Sequence, residues 1–583
     1  MNEIIHKFRS IINLKQKKYF FFIVLLMIIA SFLELLSIGF IIPVMSIVVD
    51  QSIQNSYFSF HFLNDLMESL TFYELLIGTF FIFFVIFAIK FIFTIYFLYK
   101  KNDFIFAVRN TLSLNIFRSF LKRPYNFHQQ NNSSKLAINC KYEIEQFTGN
   151  ILIAGLELLS DIGLALSLLI LLFFLEFKIT IILVSTFFLF MFIYQFILKK
   201  RSLLWGTERQ KYDTLTSKVI QEGLGSIKEI ILNHKENYFI NNFSHYLKRS
   251  AVASVRSQMS FEIPRPLMEL IAIIAFILIF CFLMYLDYQT TQIITLMGIF
   301  VAVSFKLLPC FNRVMGCIQR MRYAWPVVSF IYDELMNSNN FIEEDKSFIE
   351  DKKIQQFRLK NIIEIKNLHF SYKETAQTDK IIFDNVNLKI EKGNFVTIIG
   401  DSGIGKSTFL NLISGLVKHY EGDILIDNHN IKKLKSIWTN RVAFISQKPF
   451  FLDDSIKNNI AFAENIEDID LDKVWSSLKL AQLYDYVNNS NDKLDTMIGE
   501  GGTKMSGGQL QRLAIARALY QDSDLIIFDE SLNALDGSNE NQILQILTKL
   551  KKEKTIILIS HKESSLAHCD QVFKIENHKI IQK

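Results

Sequence analysis

The sequence predicts a membrane α-helical part with six transmembrane helices and long cytoplasmic extensions, fused to a soluble α/β domain. Three observations predict it. Six long apolar stretches fill the first half, at 19–49, 72–99, 151–175, 177–198, 267–286 and 291–312. The connections between them alternate between rich in Lys and Arg and nearly free of them. Beyond about residue 360 the apolar runs shorten to strand length and flow into glycine-rich turns. The predicted divisions are 1–320 for the membrane part, 321–360 for a linker and 361–583 for the soluble domain.

Each span is long enough for its solvent, since a hydrocarbon core of about 30 Å needs about 20 apolar helical residues. With 50% hydrophobic residues, 55 Phe and only 7 Pro, the chain cannot be disordered, collagen-like or linker-rich. The first stretch is too long, and lacks the small-residue site, for a cleaved signal peptide. Lys7, Arg9, Lys15, Lys17 and Lys18 precede the first span, whereas 50–71 carries no Lys or Arg. The connection 100–150 is basic (Lys100, Lys101, Arg109, Arg118, Lys122, Arg123, Lys135, Lys141), 199–262 is basic again, and 287–290 is not. The positive-inside rule therefore puts both termini in the cytoplasm. A net charge of +6 is accounted for in this way, and no nucleic-acid partner is implied. The five cysteines form no C-x-x-C pair, which supports neither a zinc site nor a disulfide framework.

The long basic connections suit spans that continue into the cytoplasm. Pro124 to His128, the Asn/Ser cluster 131–134, and Leu232 to Phe243 interrupt their helical pattern. Short transverse helices at the hairpin tips fit this, and so do simple loops.

Residues 395–400, Phe-Val-Thr-Ile-Ile-Gly, read as a buried parallel strand. The strand enters Gly400-Asp-Ser-Gly-Ile-Gly-Lys-Ser407 and then a helical pattern from Thr408, the strand–loop–helix context of a P-loop. Gly400, Gly403 and Gly405 free the backbone amides to wrap phosphates, and the helix N-terminus favours the same charge. Lys406 would reach the β- and γ-phosphates, and Ser407 would ligate Mg²⁺. A second strand, 524–529, ends in Asp529, placed to hold Mg²⁺ through water, and Glu530, placed to polarise the attacking water. A third, 554–560, delivers His561 to the same carboxyl edge, where open α/β sheets bind ligands. Met505-Ser506-Gly507-Gly508-Gln509 then opens another helix with small residues, a second anion site. One chain needs only one phosphate cradle, so Ser506 and Gly508 would cover the γ-phosphate held by another copy.

With these motifs the chain resembles ABC transporters of the exporter architecture, six spans fused to one nucleotide-binding domain. The resemblance implies an ATPase coupled to transport, with ATP and Mg²⁺ as its ligands. Gly400, Asp401, Ser402, Gly403, Ile404, Gly405, Lys406, Ser407 and Thr408 match the Walker A motif; Ser506, Gly507, Gly508 and Gln509 match the signature. Asp529 matches the Walker B aspartate, Glu530 the catalytic base and His561 the switch histidine. Gln447 matches the Q-loop glutamine, which senses Mg²⁺ and the membrane domain; Tyr372 matches the aromatic that stacks on adenine. Residues 533–536 resemble the D-loop, and Gly499 to Gly502 the segment before the signature. The chain departs from the family in Met505 for Leu, Asn533 for Ser, and Ser531-Leu532 for Ala-Thr. None of these removes a phosphate, metal or proton-transfer group, so a homodimer with two competent sites is the simplest assembly.

Cargo is read from the cations in or near the spans: Lys90, Arg265, Lys306 and Arg313. A charge at the bilayer centre costs at least about 2.5–3.5 kcal/mol on insertion scales, so such residues usually face a cavity. Two readings stand: the four receive an anionic headgroup, or they snorkel or pair with Glu34, Glu157, Asp161 or Glu269. Residues 34–43, 263–265 and 306–313 resemble the bacterial lipid-linked oligosaccharide flippases of the PglK type. This implies a polyprenyl-pyrophosphate-linked glycan as substrate and a bacterial inner membrane as location. Lys90 and Lys306 stand where that family carries Arg, keeping the charge but losing the bidentate fork. The external segment 58–70 would contact the polyprenyl tail or anchor at the interface. An exporter of hydrophobic drugs, lipids or peptides is the alternative, and it would not need intramembrane cations.

Overall fold

The computed structural model describes residues 7, 10, 11, 13–40, 72–175, 177–285, 290–346, 357–375, 378–434, 436–532, 537–551, 553–560 and 562–583. The chain divides into two compact units: 1–123 with 130–342, and 124–129 with 343–583. The expected external helix at 58–70, residues 41–49 of the first span, the D-loop match at 533–536 and His561 lie outside the described residues.

The first unit is all helix. In chain order the helices begin with α1 (Leu14–Gly39), α2 (Phe72–Lys122), the short α3 (Tyr125–Gln130), of which 125–129 belong to the second unit, α4 (Ser133–Phe147), a π-helical turn (Thr148–Ile153) and α5 (Ala154–Leu175). They continue as α6 (Phe177–Gly225), the short α7 (Ile227–Asn233), α8 (Glu236–Glu262), α9 (Pro264–Tyr285), α10 (Thr290–Tyr323) and α11 (Trp325–Lys346). Each of the six apolar stretches falls within a helix over its described residues. By length and composition, four helical runs among the described residues suffice to cross a membrane: 14–37, 77–122, 136–170 and 236–285. Apolar side chains lie on both sides of these helices. Leu168 and Leu172 of α5, Phe187 of α6, Ile279 of α9 and Met315 of α10 pack into one buried cluster. Phe80, Phe84, Phe91 and Ile92 of α2 are exposed, as a lipid-facing surface requires.

Two features differ from the sequence reading, and a third decides between alternatives it left open. α6 ends at Gly225 and α7 at Asn233, capped by His234, whose φ of 51° is left-handed. The second interruption therefore lies at 226–235, not 232–243; Asn237, Asn241 and Asn242 are inside α8. Both hairpin tips hold short helices, α3 and α7, rather than simple loops. The first half of the expected linker is α11, because Val327, Val328 and Ile331 form a fully buried stripe and Arg123 ion-pairs with Glu334. Apolar positions at helical spacing are core, not tether.

α6 and α10 approach so closely at Gly206 that a Cβ there would sit 2.0 Å from the carbonyl oxygen of Tyr323. Beside this crossing Arg209 is buried, with its guanidinium between the rings of Tyr142 and Tyr323 at 5.4 and 5.6 Å. It lies 3.7 Å from Glu143 and 3.3 Å from Asp213, and Asp213 accepts from Ser250 Oγ at 2.5 Å. Four helices, α4, α6, α8 and α10, therefore meet on one buried cation.

The second unit carries two sheets. β1 (Ile362–Thr375), β2 (Thr378–Glu391), β4 (Glu421–Ile426) and β5 (His429–Asn430) form an antiparallel sheet in the order β2-β1-β4-β5. β3 (Phe395–Ile399), β6 (Val442–Ile445), β7 (Leu525–Asp529), β8 (Thr555–Ile559), β9 (Gln571–Glu576) and β10 (Lys579–Gln582) form a second, in the order β10-β9-β3-β8-β7-β6. It is parallel except for the β9–β10 hairpin. Leu525 and Ile527 enter one hydrophobic cluster while Ile526 and Phe528 enter another. Burial on both faces is why these strands read as unbroken apolar runs. The helices that matter for the site are α12 (Lys406–Ile413), α13 (Ile456–Ile460), α14 (Leu471–Leu480), α15 (Gly507–Tyr520) and α16 (Gly537–Leu550).

Candidate functional site

The loop between β3 and α12 is held in place by its glycines. Gly405 has φ of 112°, and a Cβ there would lie 2.5 Å from Ile382 Cγ2, so a side chain meets both the wrong backbone region and β2. Gly405→Val is expected to abolish detectable binding of a fluorescent ATP analogue; binding at wild-type affinity would contradict this account of the loop. Asp401, Ser402 and Ile404 occupy the turn between the glycines. Lys406, buried at the start of α12, donates from Nζ to the carbonyl oxygens of Gly400 at 2.6 Å and Asp401 at 3.3 Å.

The ends of β7 and β6 meet this loop. Ser407 Oγ donates to Asp529 Oδ1 at 3.2 Å. Burial pushes the Asp529 carboxyl above its ordinary range, and the Ser407 bond and Lys406 charge oppose that rise. Ser407 and Asp529 offer two hard oxygen donors side by side, a set that fits Mg²⁺. Glu530 lies 3.8 Å from Lys406 Nζ and accepts from Gln447 Nε2 at 3.0 Å. Its φ of 50° is left-handed, costly for a residue with a side chain, and such strain clusters at functional sites. On β1, Tyr372 Oη is 3.4 Å from Thr408 Oγ1, and its ring stands edge-on to Phe370. The structure thus brings Tyr372, 400–408, Gln447, Asp529 and Glu530 into one connected group.

Ser506, Gly507, Gly508 and Gln509 are built separately. Ser506 caps α15: its Oγ accepts from the Gln509 N–H at 3.3 Å, and its own N–H donates to Gln509 Oε1 at 2.9 Å. Met505, where the family has Leu, packs partly buried against the helical core. Further along α15, Arg517 donates to the carbonyl oxygens of Asn459 at 2.7 Å and Phe450 at 2.9 Å, between the rings of Phe451 and Phe462. Burial lowers its guanidinium to about 10. Among the described residues no hydrogen bond or ion pair joins 506–509 to the loop at 400–408.

In the membrane unit the four cations part company. Arg265 and Arg313 line one cavity of about 870 Å³, together with Asn150, Gln258, Glu262, Asn312 and Arg320. Lys90 stands apart, 2.5 Å from Glu34 and 3.2 Å from Ser37 Oγ. Lys306 lies on α10, and its side chain is outside the described residues. α10 runs unbroken through Pro309. Each described cation has an acid: Arg313 binds Asp161 in a fork at 2.9 and 2.7 Å, and Arg265 lies 3.4 Å from Glu269. The sequence reading missed Arg320, which pairs with Glu157 at 2.8 Å. The signal was available, since 306, 313 and 320 repeat every seven residues along one helix face.

Residues 20–307 match the family described as ABC transporter transmembrane region, and 383–533 the family described as ABC transporter. The chain is an ABC transporter. Among curated relatives, the ATP-dependent lipid A-core flippase of Escherichia coli (strain K12) is 27% identical over 81% of this chain and 79% of its own. That of Ralstonia nicotianae is 28% identical over 82% and 80%, and that of Pectobacterium atrosepticum 27% over 80% and 78%. The fold is that of a bacterial Atm1-family ABC exporter solved with ATP bound, at a TM-score of 0.76, 17% identity, and coverage of 98% of this chain and 95% of that one. As an ABC transporter the chain binds ATP and couples its hydrolysis to transport across the membrane.

Proposed function

We propose that this ABC transporter is a homodimeric flippase in the bacterial inner membrane that moves a polyprenyl-pyrophosphate-linked glycan outward, with both termini in the cytoplasm. The observation that carries the reading is the cavity on which Arg265, Arg313 and Arg320 converge. Guanidinium groups match phosphate oxygens in a fork and are the expected residues for a diphosphate headgroup. The relatives are named as ATP-dependent lipid A-core flippases, which supports the flippase class.

In the ATP site, the amides of 400–408, Lys406 and Tyr372 would hold the nucleotide. Ser407, Asp529 and Gln447 would hold Mg²⁺, which supplies charge neutralisation at the phosphates. Glu530 accepts a proton from the attacking water, oriented with Gln447; by its match to the family motif, His561 would serve as the switch histidine. Ser506 and Gly508 of a second copy would complete the chamber, since Ser506 and Gln509 satisfy only each other within one chain.

The deciding experiment is ATP hydrolysis by the full-length protein in liposomes, with and without purified lipid-linked oligosaccharide. Stimulation is expected, and its lipid-dependent part disappears in Arg313→Glu; stimulation at the full rate in that variant would overturn the pyrophosphate assignment. One observation favours the other reading, an exporter of hydrophobic compounds: the guanidinium groups at the cavity already have carboxylate partners. Stimulation by apolar drugs but by no phospholipid-linked glycan would decide for it.

A further inference from the structure

The cavity of the membrane unit holds more than cations. Beside Arg265, Arg313 and Arg320 stand three carboxamides and a carboxylate, Asn150, Gln258, Asn312 and Glu262. They come from different elements. Asn150 sits in the π-helical turn, a local widening of the helix often found at functional sites. Gln258 and Glu262 are on α8, and Asn312 is on α10.

The hydrogen bonds these groups already make decide what they still need. Asn150 Nδ2 donates to Gln146 Oε1 at 2.7 Å, and Gln258 Nε2 donates to Glu262 Oε1 at 2.6 Å. Each bond uses one N–H of its carboxamide and leaves the other N–H and the carbonyl oxygen open; Asn150 Oδ1, Gln258 Oε1 and the second Glu262 oxygen accept nothing among the described residues. Asn312 Oδ1 is buried and likewise without a partner among them. Of these acceptors only Asn312 Oδ1 is buried away from water, and a buried acceptor left unmade is costly, so that oxygen calls for a donor. Phosphate oxygens supply none at neutral pH. Sugar hydroxyls and N-acetyl N–H groups supply several.

The guanidinium groups offer donors only, and their charge is already balanced by Asp161, Glu157 and Glu269. A bare polyanion therefore meets a compensated cavity rather than a cationic well. A polyhydroxylated group joined to phosphate satisfies both kinds of partner.

We propose that this cavity selects its lipid by the sugar next to the phosphate. Asn150, Gln258, Asn312 and Glu262 accept hydrogen bonds from that sugar, while Arg313 and Arg320 donate to the phosphate. This rests on the phosphoglycolipid reading above and adds which part of the headgroup decides selection. The ligand chemistry is a phosphate-bearing sugar on a lipid anchor. A polyprenyl-pyrophosphate sugar and a phosphorylated glucosamine lipid both carry it.

The test is ATP hydrolysis by the full-length protein in liposomes, titrated with three lipids: polyprenyl pyrophosphate, the same carrier bearing one N-acetylglucosamine, and a phosphorylated glucosamine lipid. At least one glycosylated lipid is expected to reach half-maximal stimulation at about a tenfold lower concentration than the bare carrier. Which one does so identifies the source. Gln258→Leu, on the exposed wall, and Asn312→Leu are expected to bring that ratio to about one, whereas Asn312→Asp, which keeps the acceptor, preserves it. A bare carrier as effective as both glycosylated lipids would overturn sugar selection and leave the phosphate reading standing. A ratio unchanged in both Leu variants would overturn the assignment to these amides. No stimulation by any of the three would overturn both readings.

Discussion

Glu530→Gln is expected to lower ATP turnover by about 10²–10⁴-fold while the protein still binds ATP. The side chain keeps its length and its place beside Gln447, so the nucleotide pocket is not rebuilt. It loses the ability to accept a proton from water. The backbone argues for a dedicated role as well: β7 ends and the chain turns at Glu530 through a φ of 50°, which presents its carboxylate to Lys406 and Gln447 together. Phosphate release measured alongside retained nucleotide checks both halves of the expectation. Hydrolysis at the wild-type rate would remove Glu530 from the chemistry.

Arg209→Ala is expected to produce the largest loss of stability, about 3–5 kcal/mol, because it leaves Glu143 buried without its cation. The guanidinium is at once an ion-pair partner for two carboxylates and a plate between two tyrosine rings. Arg209→Lys keeps the charge and loses the plate, and an intermediate loss is expected from it. Arg209→Met combined with Glu143→Leu is expected to recover a substantial part of the loss, since an apolar pair of similar volume does not strand a charge. Thermal denaturation of the purified protein in detergent orders the three variants. An alanine variant as stable as wild type would show that the four helices do not depend on this cation.

The two stability and turnover experiments probe different levels of the molecule. The site at Glu530 is assembled by short, local segments: strand, turn and helix bring 400–408 into shape, and two neighbouring strands deliver Asp529 and Gln447. Residues 400–408 and Asp529 were legible from motif and spacing, because a parallel strand buried on both faces and a loop that must wrap phosphate leave little choice of residue; Gln447 was legible only through the family resemblance. Tyr372 was legible only through resemblance, since an aromatic on an antiparallel strand is ordinarily a packing residue.

The membrane unit was legible to a different depth. Span lengths and the charge bias of the connections are properties of continuous stretches and needed no tertiary information. The short helices at the hairpin tips were half legible: the Pro124 region was correctly located, whereas asparagines inside α8 mimicked a break that Gly225, Ser226 and His234 make earlier. The linker was misread in its first half because a short amphipathic helix flanked by charge resembles a tether until its apolar face finds a core.

What the sequence by itself determined is the division of solvents, the course of the apolar helices, and the strand–loop–helix at 395–413 with its glycines and Lys406, all consequences of local periodicity and of chemistry that tolerates few substitutes. What only the tertiary structure decided is which charges meet. Arg313 and Asp161 lie 152 residues apart and form a fork because α5 and α10 pack side by side. Lys90 goes to Glu34, and Arg320 joins a cavity that it shares with Arg265, Arg313 and the carboxamides of Asn150, Gln258 and Asn312. A charged side chain in an apolar helix must find a partner, but its partner is chosen by the packing of neighbouring helices, and that choice is not written within reach of either residue along the chain.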